Sequence, residues 1–130
     1  MPRVHGILET ALYAKDVKHA ADFYRRLFGF ATLLESDRLI ALNVADRDVL
    51  LLFQEGATKD PFETAGGVIP GHSGTGSNHL AFSITRDEVA AWLQKLESEN
   101  VALESTVKWT GGLDLPKKSG REEKRSMLNL

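Results

Sequence analysis

The chain has 130 residues, 42% of them hydrophobic, which is enough for one sizeable core and predicts a single folding unit. Its net charge of −2, with both signs interspersed, supplies no concentrated positive field and so argues against nucleic acid or anionic membrane as partners. There is no cysteine, hence no disulfide, thiolate metal site or cysteine nucleophile; with neither a cleavable leader nor an apolar run long enough to span a bilayer, the expected location is cytoplasmic.

The first segment, Gly6 to Ala14, is apolar and β-branched and reads as a strand; Asp16 then stands as an N-cap. Val17, Ala20, Ala21, Tyr24, Leu27 and Phe28 follow helical spacing, and Gly29 supplies the stop. Three strands are predicted next, at Phe30–Glu35, Arg38–Val44 and Asp48–Gln54, separated by turn-length polar breaks. The first half therefore reads β-α-β-β-β. From Glu55 to Ser77 the chain turns to Gly, Thr, Ser and Pro and shows no helical or strand period, as expected of a connecting or functional loop.

Asn78–Ile84 alternates like a strand, and Thr85-Arg-Asp-Glu88 has the form of a capping box opening a second helix with a stripe of Val89, Trp92, Leu93 and Leu96. A shift of about seventy positions lays strand on strand and helix on helix, which points to an internal duplication and places Glu9 opposite His79. Alternation puts Ile7, Glu9, Ala11 and Tyr13 on one side of the first strand, and His79, Ala81 and Ser83 on one side of the later one. Glu9 and His79 would then lie on the faces away from the helices, among small side chains, and both are ligand types for first-row metals. The alternative is a hydrogen-bonded core histidine and a partly solvated carboxylate.

The residues Leu8-Glu-Thr-Ala-Leu-Tyr-Ala-Lys-Asp16, Ala20-Ala-Asp-Phe-Tyr-Arg-Arg-Leu-Phe-Gly-Phe30, Val49-Leu-Leu-Leu-Phe53 and His79-Leu-Ala-Phe82 resemble the vicinal oxygen chelate superfamily, which includes glyoxalase I, bleomycin resistance proteins and extradiol dioxygenases. The resemblance spans about residues 5–110 and implies an α+β fold of two βαβββ modules, with a cupped mixed sheet and helices on its outer face. Module one would occupy 5–54, a Gly-rich connector 55–76, and module two 77–130, incomplete at its C-terminus. It further implies a homodimer, a small-molecule substrate with chelating oxygens, and a divalent ion (zinc, nickel, manganese or iron) held by strand residues. Carried over by position, the metal ligands fall on Glu9 and His79, while Leu50 occupies the place of a carboxylate on the fourth strand, with Asp48 two residues before it. The implied activity is that of a metal-dependent lyase or dioxygenase, and the alternative is metal-free sequestration of a small molecule. No catalytic residue is assigned.

After Gly120 the chain shows charge and no strand alternation, so the family's last strands are not expected there; a short helix, a disordered end or an altered reading frame near Gly120 would each produce this. Glu122 and Glu123 read as solvated members of a charge run. His5 and His72 read as surface residues within possible reach of a ligand, and Phe62 and Trp109 as aromatic platforms or packing residues. The Gly74-Thr-Gly76 segment lacks the lysine and following helix of a phosphate loop.

Overall fold

The computed structural model describes residues 1–108 and 126–129, in two compact units, Met1–Asn78 and His79–Leu130. In the first unit, β1 (Glu9–Ala14), α1 (Val17–Phe28), β2 (Ala31–Glu35), β3 (Leu39–Val44) and β4 (Asp48–Gln54) follow one another as the sequence predicts. Their sheet has the order β1-β4-β3-β2, with β1 parallel to β4 and the other neighbours antiparallel. The single parallel pair follows from the crossover through α1, which returns the chain to the sheet in the direction it left.

Helix α1 begins where two side chains satisfy its first free amides. Asp16 is extended and its Oδ1 accepts from the His19 amide at 3.1 Å, while Gln54 Oε1 accepts from the Val17 amide at 3.0 Å. The same Gln54 side chain donates through Nε2 to the Lys15 carbonyl at 2.7 Å, so the last residue of β4 pins the start of the helix. Gly29 ends α1 in the left-handed region, φ 69°, with its N–H on the Arg25 carbonyl. Val17, Ala21 and Leu27 are buried along one stripe, and burial of Tyr24 raises its phenol above the ordinary tyrosine value.

The ladders assign the two faces of the sheet. Thr10, Leu12, Leu50, Leu52, Ile40 and Leu42 share one face; Ile40, Leu42, Leu50 and Leu52 are each 2% exposed or less, and this is the core beneath α1. Glu9, Ala11, Tyr13, Val49, Leu51, Phe53, Leu39, Ala41 and Asn43 share the opposite face. The first strand is shorter than predicted. It starts at Glu9 because its ladder partner starts at Val49, and Ile7 and Leu8 before it are more than 80% exposed.

Three parts of the chain depart from the expectation. The Gly-rich stretch holds a small hairpin, β5 (Phe62–Thr64) with β6 (Gly67–Ile69), joined at Ala65-Gly66; its strands are too short for a period to register. Residues 78–84, predicted as a strand, carry no ladder among the described residues. Their alternation survives nonetheless, with Leu80, Phe82 and Ile84 half-buried and His79, Ala81 and Ser83 exposed. A strand needs a partner as well as a pattern, and β1 finds its own in the last strand of its half. Finally, β8 (Ser126–Asn129) pairs antiparallel with β7 (Ser105–Lys108), although no strand is expected after Gly120.

In the second unit a 3₁₀ turn, Arg86–Glu88, leads into α2 (Val89–Ser98). The capping-box residues do meet, but through their side chains: the Thr85 hydroxyl donates to Glu88 Oε1 at 3.0 Å, and no side chain caps a backbone amide. Of the predicted stripe Leu96 is buried and Val89 and Trp92 are half-buried, while Leu93 is 38% exposed. The helices α1 and α2 end at Phe28 and Ser98, which keeps the seventy-residue offset seen in the sequence.

Candidate functional site

The open face of the first unit's sheet gathers the side chains with chemistry, and it does so around Tyr13. This residue sits on β1, in line with Glu9 and Ala11 and beside Phe53 of β4, with ring centroids 5.7 Å apart. The connecting loop then lays His72 against both rings, 4.6 Å from Phe53 and 5.8 Å from Tyr13, edge-on in each case. The Tyr13 hydroxyl and His72 Nδ1 form a hydrogen bond of 2.5 Å. Either group can supply its proton, since a phenol donates to a bare ring nitrogen and a protonated nitrogen donates to the phenolic oxygen. Such a pair can pass a proton between phenol and imidazole.

The loop is held in place at its root. Thr58, 1% exposed, donates through Oγ1 to the His72 carbonyl at 2.6 Å, and the His72 amide donates to the Thr58 carbonyl at 2.7 Å. Glycines flank the histidine because the approach is too close for a side chain: a Cβ on Gly71 would strike the Lys59 carbonyl, and one on Gly74 would strike the Tyr13 ring. His72 is therefore a half-buried, bonded residue and not the surface residue read from composition. The one hint in the sequence was its place between two glycines in Gly71-His-Ser-Gly74.

The remaining wall is cationic and aromatic. The Arg38 guanidinium lies 4.4 Å from the centre of the Phe62 ring and 5.8 Å from that of Phe53. Phe62 is exposed beneath Arg38, while Trp109, Glu122 and Glu123 lie outside the described residues.

Of the two expected metal ligands, only Glu9 lies in the first unit, and it stands apart from this cluster. Glu9 is exposed at the far end of the same face, four residues from Tyr13 and so about 13 Å along the strand. His79 opens the second unit and is exposed. Leu50 faces the core under α1, so the β4 residues on the side of Glu9 are Val49 and Leu51, neither with a donor atom. Among the described residues no three His, Cys, Asp or Glu side chains gather as a metal site would require. The described donors therefore do not make up a full coordination sphere. A hollow of about 550 Å³ lies along α1, lined by His19, Asp22, Phe23, Arg25 and Arg26, but there Arg25 is already held by Asp22 and Thr32.

A β-α-β-β-β unit with its helix on one face of the sheet is the arrangement of a glyoxalase-type protein. Residues 6–114 match the model of the Glyoxalase/Bleomycin resistance protein/Dioxygenase superfamily, and the chain belongs to that superfamily. It is similar to the crystal structure of lactoylglutathione lyase from Agrobacterium tumefaciens, at 31% identity over 84% of this chain and 81% of that one, with a TM-score of 0.72. It shares its fold with an integron cassette protein from the mobile metagenome of a Halifax Harbour sewage outfall, at 23% identity over 81% and 79% of the two chains, TM-score 0.61. No curated protein matches the chain. Among the described residues no helix is long and apolar enough to cross a membrane.

Proposed function

We propose that the chain binds a small molecule on the open face of its first sheet, with Tyr13, Phe53 and His72 as the floor and Arg38 and Phe62 as the side. One observation carries this reading: the face opposite the α1 core is where the phenol–imidazole pair, the Arg38 guanidinium and the aromatic rings converge. A few polar groups set among apolar ones are what orient a bound small molecule. In this reading the Tyr13 hydroxyl, hydrogen-bonded to His72, holds a ligand hydroxyl through the bonding capacity that this contact leaves on its oxygen, and the apolar side chains Leu39, Leu51 and Phe53 exclude water from it.

A second reading is metal-dependent chemistry, in which Glu9 and His79 would be two donors to a divalent ion and the ion would supply a Lewis acid for an oxygen-chelating substrate. What favours it is the exposure of both residues and the similarity to the lactoylglutathione lyase structure. In either reading the protein acts in the cytoplasm, as a homodimer.

Mandelate, which carries paired oxygens on an aromatic body, separates the two when its binding to the full chain is followed by calorimetry with and without excess EDTA. Binding is expected to persist in EDTA and to be unchanged in Glu9→Ala and His79→Ala. Loss of binding on chelation and in both variants would replace the first reading by the second.

A further inference from the structure

Arg38 stands beside the Tyr13–His72 pair without being engaged by it. Its guanidinium is half-buried against Phe62 and Phe53, yet it makes no side-chain hydrogen bond or ion pair among the described residues. The neighbouring carboxylates are drawn elsewhere, Asp37 towards Lys18 at 3.5 Å and Glu35 towards Arg25 at 3.8 Å. Its backbone is fixed as well: the Arg38 amide donates to Ser36 Oγ at 3.2 Å, and its carbonyl accepts from the Gln54 amide at 2.9 Å.

We infer that Arg38 is an oxyanion seat that selects ligands carrying a carboxylate, gripped by the N–H donors of a guanidinium whose central carbon lies 4.4 Å over the Phe62 ring. A guanidinium stacked on a ring uses its face, and its N–H donors stay in the plane with the forked spacing that fits two carboxylate oxygens. The rings also strip water from the cation, which strengthens the pairing compared with a solvated arginine. Phe53 connects the seat to the floor, since its ring centre lies 5.8 Å from the Arg38 guanidinium and 5.7 and 4.6 Å from the Tyr13 and His72 rings. The ligand class is a small aromatic or apolar acid, with its carboxylate on Arg38 and a second oxygen at the Tyr13 hydroxyl. The inference rests on the open-face reading above and adds charge selectivity to it.

The test compares mandelate with mandelamide, which keeps the shape and loses the charge, on the full chain and on Arg38→Gln and Arg38→Lys, with thermal unfolding as the check that each variant is folded. Mandelate is expected to bind at least about tenfold more tightly than the amide, and that preference is expected to vanish in Arg38→Gln. Arg38→Lys should recover only part of it, because an ammonium supplies charge without the fork. Equal affinity for acid and amide, or a preference that survives in Arg38→Gln, would overturn the oxyanion seat and leave the open-face site standing. Failure of both molecules to bind the unsubstituted chain would overturn the two together.

Discussion

Leu52→Ala is expected to lower the stability of the protein by about 3 kcal/mol, the largest loss anticipated for any single truncation here. Leu52 is 1% exposed at the middle of β4, between Leu12 of the parallel neighbour and Ile40 of the antiparallel one. Truncation removes the buried carbons and leaves a cavity under α1. The surroundings cannot close it cheaply, because Ile40, Leu42 and Leu50 are themselves fixed by ladders on the same face. Urea unfolding checks this: the midpoint should fall while the slope stays the same. A loss under about 1 kcal/mol would mean that the α1 face is not the core.

Gly71→Ala is expected to cost about 2 kcal/mol and to remove ligand binding as well. The added methyl meets the Lys59 carbonyl, a backbone atom with no rotamer by which to retreat. The loop must lift, and with it go the paired Thr58–His72 hydrogen bonds and the bond from His72 to Tyr13. Gly66→Ala is the matched control. Its new Cβ would meet only Thr64 Oγ1, at 3.9 Å, and a change of less than about 0.5 kcal/mol is expected. Equal effects from the two substitutions, on stability or on mandelate affinity, would show that close packing of the loop on the sheet does not matter.

The first half was legible because every signal in it is local. Asp16 and Gly29 mark the ends of α1, the helical stripe runs between them, and the polar breaks divide β2, β3 and β4 at hairpin spacing. What sequence could not supply was pairing. The alternation of 78–84 is present in its burial, but among the described residues no ladder accompanies it; Leu50, assigned by position to the site, falls on the core side once the β1–β4 register is known. Adjacent residues on a strand face opposite ways, so an error of one position exchanges core for site.

The site was only partly legible, for the same reason. Tyr13 was placed on the correct face with Glu9, but its partner lies 59 residues away in a loop that shows no period, and only the folded loop brings His72 to it. Arg38 gave no signal at all, since a guanidinium near two rings looks in sequence like any polar residue at a strand end. The duplication that set Glu9 opposite His79 is a relation between positions in the sequence. It led to two ligand types, whereas contacts within the first unit lead to Tyr13, His72 and Arg38.

The central claim is that the open face of the first sheet is the binding surface, and its most direct test is a mandelate titration of the ¹⁵N-labelled full chain followed by amide chemical shifts. The account predicts saturable shifts that are largest at Tyr13, Arg38, Phe53 and His72, with little change along α1. Shifts concentrated on α1 or on residues 86–98, with those four amides unmoved, would contradict it.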